Sequence, residues 1–213
     1  MFEELLEKGC SQAEYEAFYI DIGKGEQFGS DFVSMNPNSK IPVLYDSEQE
    51  LSIFESGHIL LYLAEEFDQF LPKKERTAVL NWLFWLQGSA PYLGGGFGHF
   101  YHYAPEKIKY AIDRFTMEAK RHLHLLDSEL KTKEFIAADE ISIADFAIFP
   151  WYGNLMINNL YEASRFLQVE SYTHLMRWSK QLQARPAVSR GMRVNKTWGE
   201  HPVKERHSSA DFS

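Results

Sequence analysis

Apolar residues at Phe2, Leu5 and Leu6 alternate with Glu3, Glu4, Glu7 and Lys8 at helical spacing, which predicts a short amphipathic helix closed by Gly9. No Ser, Thr, Asp or Asn precedes its first apolar residue as a cap, so the pattern reads as already under way at Met1. From Tyr15 the period becomes two. Tyr15, Ala17, Tyr19 and Asp21 alternate with Phe18, Ile20 and Ile22, which predicts a strand with its Ile/Phe side on a core. Gly23, Gly25 and Gly29 then break the pattern. Their spacing is not that of a dinucleotide fingerprint, so the stretch reads as a plain loop. A short helix in "DFVSMNPNS" should stop at Asn36-Pro37. "IPVLYD" and "QELSIF" read as two short strands turning at Asp46-Ser47-Glu48. "ESGHILLYLAEEF" follows as a helix burying Ile59, Leu60, Leu63 and Phe67.

Beyond the linker "DQFLPKK" only helical patterns remain. The long aromatic stretch "RTAVLNWLFWLQGSAPYLGGGFGHFYHY" should be bent or broken at Pro91 and Gly94–Gly96. Pro105 suits the first position of the next helix, through "EKIKYAIDRFTMEAKRHLHLLDSEL". Ser142 and Asp145 stand at N-cap and N3 of "ISIADFAIFPWYGNLM", a reciprocal capping box, with Ile141 and Phe146 placed for a hydrophobic staple. The last helix, "YTHLMRWSKQLQARPAV", should end at Pro186. The layout is a mixed α/β domain over 1–70, an all-helical domain over 73–195 and a polar tail over 196–213.

Composition narrows the function classes. With 213 residues and 45% hydrophobic content the chain can bury a core, and 15% aromatic residues argue against disorder. No apolar run reaches the roughly 18 residues a membrane span needs, and no basic region precedes an apolar one as in a signal peptide. A net charge of -8 without a long Lys/Arg run lacks the footprint of a nucleic-acid binder. Cys10 is the single cysteine, so no intramolecular disulfide can form and a reducing cytoplasm is the natural compartment.

One constellation carries chemistry. Pro42 at the start of a strand removes a ladder donor and suits a cis peptide, and the backbone ahead of it can pair with an extended peptide ligand. Glu55 and Ser56 begin a helix, whose free N–H groups and dipole favour a carboxylate. By contrast, the capping geometry accounts for Ser142 and Asp145 as structural residues. His99 and His102 lack a third ligand, so no metal is expected. Cys10 has no C-x-x-C partner and is a poor redox nucleophile.

"NPNSKIPVL", "FESGHILLYLAE", "FLP" and the later "SIAD" together resemble the glutathione transferase family over nearly the whole chain. The stretch from "NWLFWLQGSAPYLGGGFGHF" to "AIDRFTMEAKR" is similar to its nu-class bacterial members, glutathione-dependent disulfide-bond oxidoreductases. The resemblance implies a thioredoxin-like N-terminal domain, an all-α C-terminal domain and a homodimer. It implies glutathione held by Ile41 before cis-Pro42, with Glu55 and Ser56 on the γ-glutamyl end, Lys40 beside the glycyl end and Gln27 as a further contact. Arg114 matches an arginine that binds a second glutathione.

In that class a Thr/Asn-containing loop after a first strand directs hydrogen bonds at the glutathione sulfur and makes it the nucleophile. The opening helix corresponds to the second half of the family's first helix, so that strand and loop are expected to be missing, and no catalytic residue is identified. The implied activity is transfer to an electrophile or reduction of a small disulfide by glutathione's own thiol. The alternative is a catalytically impaired, truncated relative that acts as a binding or assembly module.

Overall fold

The computed structural model describes residues 1–195; the tail assigned to 196–213 lies outside the described residues. The described residues form two compact units: Met1–Gln69 joined by residues 185–195, and Phe70–Ala184. Residues 185–195, grouped above with the helical domain, therefore pack with the first unit.

The first unit opens with helix α1 (Phe2–Glu7), which carries no side-chain cap. Two of its polar positions are not on its solvent face: Glu3 and Glu4 are buried together with Leu5. Arg185 grips Glu4 through two hydrogen bonds, Nε–Oε1 2.6 Å and Nη2–Oε2 2.7 Å. Arg190 reaches Glu3 at 2.7 Å and Glu7 at 2.5 Å. Both arginines belong to or border the last described helix, Pro186–Gly191, where Pro186 begins a helix rather than ending one.

The strand expected over Tyr15–Ile22 does not form. Residues 14–21 pair with no other strand, and the sheet holds only two strands among the described residues. The inward phase is also opposite to the expected one: Ala13 and Ala17 are buried, whereas Phe18 and Ile22 are exposed. Tyr15 sets that phase by donating its hydroxyl to Glu3 (2.8 Å) and stacking on Phe2 with centroids 4.7 Å apart. Helix α2 (Ser30–Met35) ends at Asn36, as its Asn-Pro stop predicts.

Strands β1 (Val43–Asp46) and β2 (Leu51–Phe54) pair antiparallel, Val43 opposite Phe54 and Asp46 opposite Leu51. Their turn is closed by the Asp46 carboxylate, which accepts the N–H groups of Glu48 (2.8 Å) and Gln49 (3.0 Å). Helix α3 (Ser56–Glu66) is tied to that turn by the Tyr62 hydroxyl, which donates to Asp46 at 2.5 Å. This bond holds the Asp46 carboxyl below its ordinary range and pushes the Tyr62 phenol up to about 12. Of the expected buried side of α3, Leu63 is buried, while Ile59, Leu60 and Phe67 are half-buried.

All regular elements of the second unit are helical among the described residues. Helix α4 (Arg76–Pro91) does not break at Pro91 but widens into a π-helical segment, Tyr92–Tyr103. Gly94, Gly96 and Gly98 make that segment possible by close approach. A Cβ on Gly96 would lie 2.4 Å from the Phe115 ring, and one on Gly98 2.5 Å from Tyr161. Helix α5 (Lys109–Leu130) begins four residues after Pro105, which lies in the connection and not at the first helical position.

Helix α6 (Ile143–Ile148) starts at the expected cap. Asp145 accepts from the Ser142 N–H (3.0 Å), the Ser142 hydroxyl (3.1 Å), the Ile136 N–H (3.0 Å) and the Trp178 indole (2.9 Å). Burial pushes its carboxyl upward, and these four donors oppose the rise. Phe146 packs edge-on against Phe70, with centroids 5.0 Å apart. A second π-helical turn, Phe149–Gly153, leads into α7 (Asn154–Ile157), then α8 (Ser164–Leu167) and α9 (Thr173–Gln183). Arg177 of α9 donates to the carbonyls of Leu130 (3.2 Å), Lys133 (2.8 Å) and Glu134 (3.3 Å), satisfying the open end of α5.

Candidate functional site

The hairpin register brings two separate segments together. Val43 opposite Phe54 is its last pair, so Ile41-Pro42 before the first strand and Glu55-Ser56 after the second lie at the same end of the hairpin. The Ile41-Pro42 peptide is cis. Ile41 is 51% exposed, and its backbone N–H and C=O take part in no hydrogen bond among the described residues. Just before it, the Lys40 carbonyl accepts from Asn36 Nδ2 at 2.6 Å, while Asn36 Oδ1 accepts the Asn38 N–H at 3.0 Å. Asn36 is 1% exposed and fixes the backbone leading into Ile41. Sequence reading saw Asn36 only as a helix stop, since a side chain that orders the next loop has the same signature.

Across the hairpin, Glu55 has φ +71° and ψ +118°, a left-handed-side conformation that costs a non-glycine residue about 1–3 kcal/mol. Its carbonyl accepts the Ile59 N–H at 2.9 Å and so opens α3. Glu55 and Ser56 are exposed, and no side chain caps the helix start. The first-turn N–H groups of α3 are therefore open to an anion. This local strain and the unpaired Ile41 backbone sit at the same end of the hairpin.

Lys40 is exposed beside the cis peptide. Gln27 lies in the same unit, in a 3-10 turn (Glu26–Phe28), and its Oε1 is buried without a hydrogen-bond partner among the described residues. A buried orphan acceptor costs free energy unless a ligand donor reaches it. Arg114 belongs to the other unit, on α5, where Nη1 lies 3.5 Å from Glu118. Ser142 and Asp145 close a helix start inside that unit's core. Among the described residues no three His, Cys, Asp or Glu side chains converge as a metal set. His99 packs on Phe100 and His102 on Tyr103. Trp85 packs against His122 and Tyr152, whereas Phe84 is exposed.

The arrangement suits an extended peptide that pairs with Ile41 and ends in a carboxylate at the α3 start. Residues 3–65 match the glutathione S-transferase N-terminal domain and residues 109–181 the C-terminal domain. The chain belongs to the glutathione S-transferase family, with the thioredoxin-like and helical domains of that fold.

Among its relatives, it is 56% identical over 218 residues to the disulfide-bond oxidoreductase YghU of Escherichia coli K12, covering 100% of this chain and 76% of that protein. The crystal structure of a glutathione transferase YghU from Streptococcus pneumoniae, complexed with glutathione, is 56% identical. It superposes with a TM-score of 0.89 over 91% of this chain and 76% of its own. A glutathione transferase from Burkholderia graminis, with two glutathione molecules bound per subunit, is 32% identical at a TM-score of 0.82, over 92% and 83% of the two chains.

Proposed function

We propose that this protein is a glutathione-dependent disulfide-bond reductase and transferase in which the thiol of glutathione is the nucleophile. The observation that carries the reading is the hairpin end, where the cis Ile41-Pro42 peptide leads into β1 and strained Glu55 and Ser56 follow β2. Glutathione would lie extended along Ile41, its cysteinyl backbone pairing with the open N–H and C=O. Its γ-glutamyl carboxylate would rest on the N–H groups at Ser56, with the Glu55 carboxylate beside the ammonium. Lys40 would meet the glycyl carboxylate, and a donor of the ligand would reach Gln27 Oε1.

In this reading one glutathione thiolate attacks a sulfur of the substrate disulfide, forming a mixed disulfide and releasing a thiol. A second glutathione, anchored at Arg114, attacks the glutathionyl sulfur, so that two glutathione molecules are oxidised to one glutathione disulfide and the substrate becomes two thiols. The two-glutathione Burkholderia relative supports the two-ligand scheme. Among the described residues no helix is long and apolar enough to cross a membrane. A homodimer acting in the cytoplasm fits the family and the single cysteine. Titration of glutathione into the purified protein should show saturable binding, and a small disulfide with glutathione should yield glutathione disulfide in step with substrate thiol. Absence of both binding and turnover would overturn the reading.

A further inference from the structure

On α5 one carboxylate serves three nitrogen groups. Glu118 Oε1 accepts from Arg121 Nη2 (2.6 Å) and Nε (3.0 Å) and lies 3.1 Å from His122 Nε2, while Oε2 lies 3.5 Å from Arg114 Nη1. An ionised carboxylate can only accept, so His122 carries its proton on Nε2. Its Nδ1 then accepts the Tyr152 hydroxyl at 2.8 Å. His122 is 1% exposed, and burial lowers its pKa, which keeps the ring neutral. The cluster thus sets two guanidinium groups against one carboxylate and retains one net positive charge.

The distances decide where that charge resides. Arg121 holds Glu118 by two short bonds, while Arg114 touches it once, at the limit of a hydrogen bond. Arg121 also holds the Glu118 carboxyl below its ordinary range. Arg114 keeps most of its five N–H donors for something else, on a side chain 43% exposed. We infer that Arg121 is a positioning residue for Arg114: by occupying Glu118 it prevents that carboxylate from capturing Arg114 and leaves Arg114 to receive the carboxylate of a glutathionyl ligand. This rests on the reading of Arg114 as the anchor of the second glutathione.

The test is the steady-state KM for glutathione, separated from kcat, in Arg114→Ala, Arg121→Met, Arg121→Lys, Glu118→Gln and the double variant Arg121→Met/Glu118→Gln. Losing Arg121 should raise KM about tenfold with little change in kcat, because Arg114 then pairs with Glu118. Removing the Glu118 charge as well should return KM to within about twofold of the starting protein, an effect that lost packing would not produce. Arg121→Lys, which keeps the charge, should stay near the starting value and gives an independent reading should the methionine variant melt early. A double variant no better than Arg121→Met, or a lysine variant as impaired as the methionine one, overturns the inference. An unchanged KM in Arg114→Ala overturns the underlying reading of Arg114 instead.

Discussion

Both units bury carboxylates, but by opposite means. In the first unit Glu4, 2% exposed, is met by the Arg185 guanidinium through two hydrogen bonds. In the second, Asp145, fully buried, is met by four neutral donors and no cation. A charge-paired carboxylate depends on one partner, and removing that partner strands a buried ion. A carboxylate held by neutral donors is itself the common partner, so its removal strands several donors together. Glu4 thus closes a contact between chain segments, whereas Asp145 organises a core.

The largest loss is expected for Asp145→Ala. It leaves the Ile136 and Ser142 N–H groups and the Trp178 indole unpaired in a dry core and should cost about 4–5 kcal/mol. Urea unfolding followed by tryptophan fluorescence would measure it, and a loss under about 2 kcal/mol would show that Asp145 is replaceable. Arg185→Ala comes next. It should cost about 3 kcal/mol, reduced from a fully buried pair because Arg185 is 34% exposed. Replacing both members, Glu4→Met with Arg185→Met, should recover most of that loss; no recovery would mean that the pair does more than neutralise a charge.

His122 gives the smallest effect and the third way of burying an ionisable group, which is to stay neutral. Burial is the first cause lowering its pKa below 6.5, so the unfolded chain binds this proton more readily. The stability this contributes is present above pH 6.5 and is lost as pH falls toward the folded value, by at most about 1.4 kcal/mol per pH unit. Melting between pH 7 and pH 5 should show that slope, and His122→Gln should flatten it. An unchanged slope in the variant would assign the pH dependence to other groups.

The legibility of these features follows their span along the chain. The Ser142–Asp145 cap was readable because its partners are three residues apart and the local helix geometry dictates their contact. The hairpin and its Asp46 turn were readable for the same reason. Local propensity also placed Ser56 at a helix start and Pro42 within one residue of the start of β1, and the family resemblance supplied their joint meaning. The strand at Tyr15–Ile22 failed because alternation gives a period and not a phase or a partner. A hydroxyl bond to Glu3 turned Tyr15 inward, and no strand pairs with the segment. Pro91 and the glycines after it suggested a break, yet the rings of Phe115 and Tyr161 fill the space the glycines leave and the helix continues in wider turns.

Sequence alone determined the helix start at Ser142, the helix stop at Asn36, the hairpin and the family, since these rest on neighbours within a few residues or on motifs recognisable as strings. Tertiary structure alone decided which glutamates are buried, because Glu4 and Arg185 are 181 residues apart and nothing local to either announces the other. It also decided the backbone of the candidate site: the positive φ of Glu55, the buried hold of Asn36 on Lys40, and Ile41 left open at the hairpin end that leads to Ser56. Burial, a backbone angle and an unpaired backbone group are set by the packed chain, and a linear pattern carries no term for them.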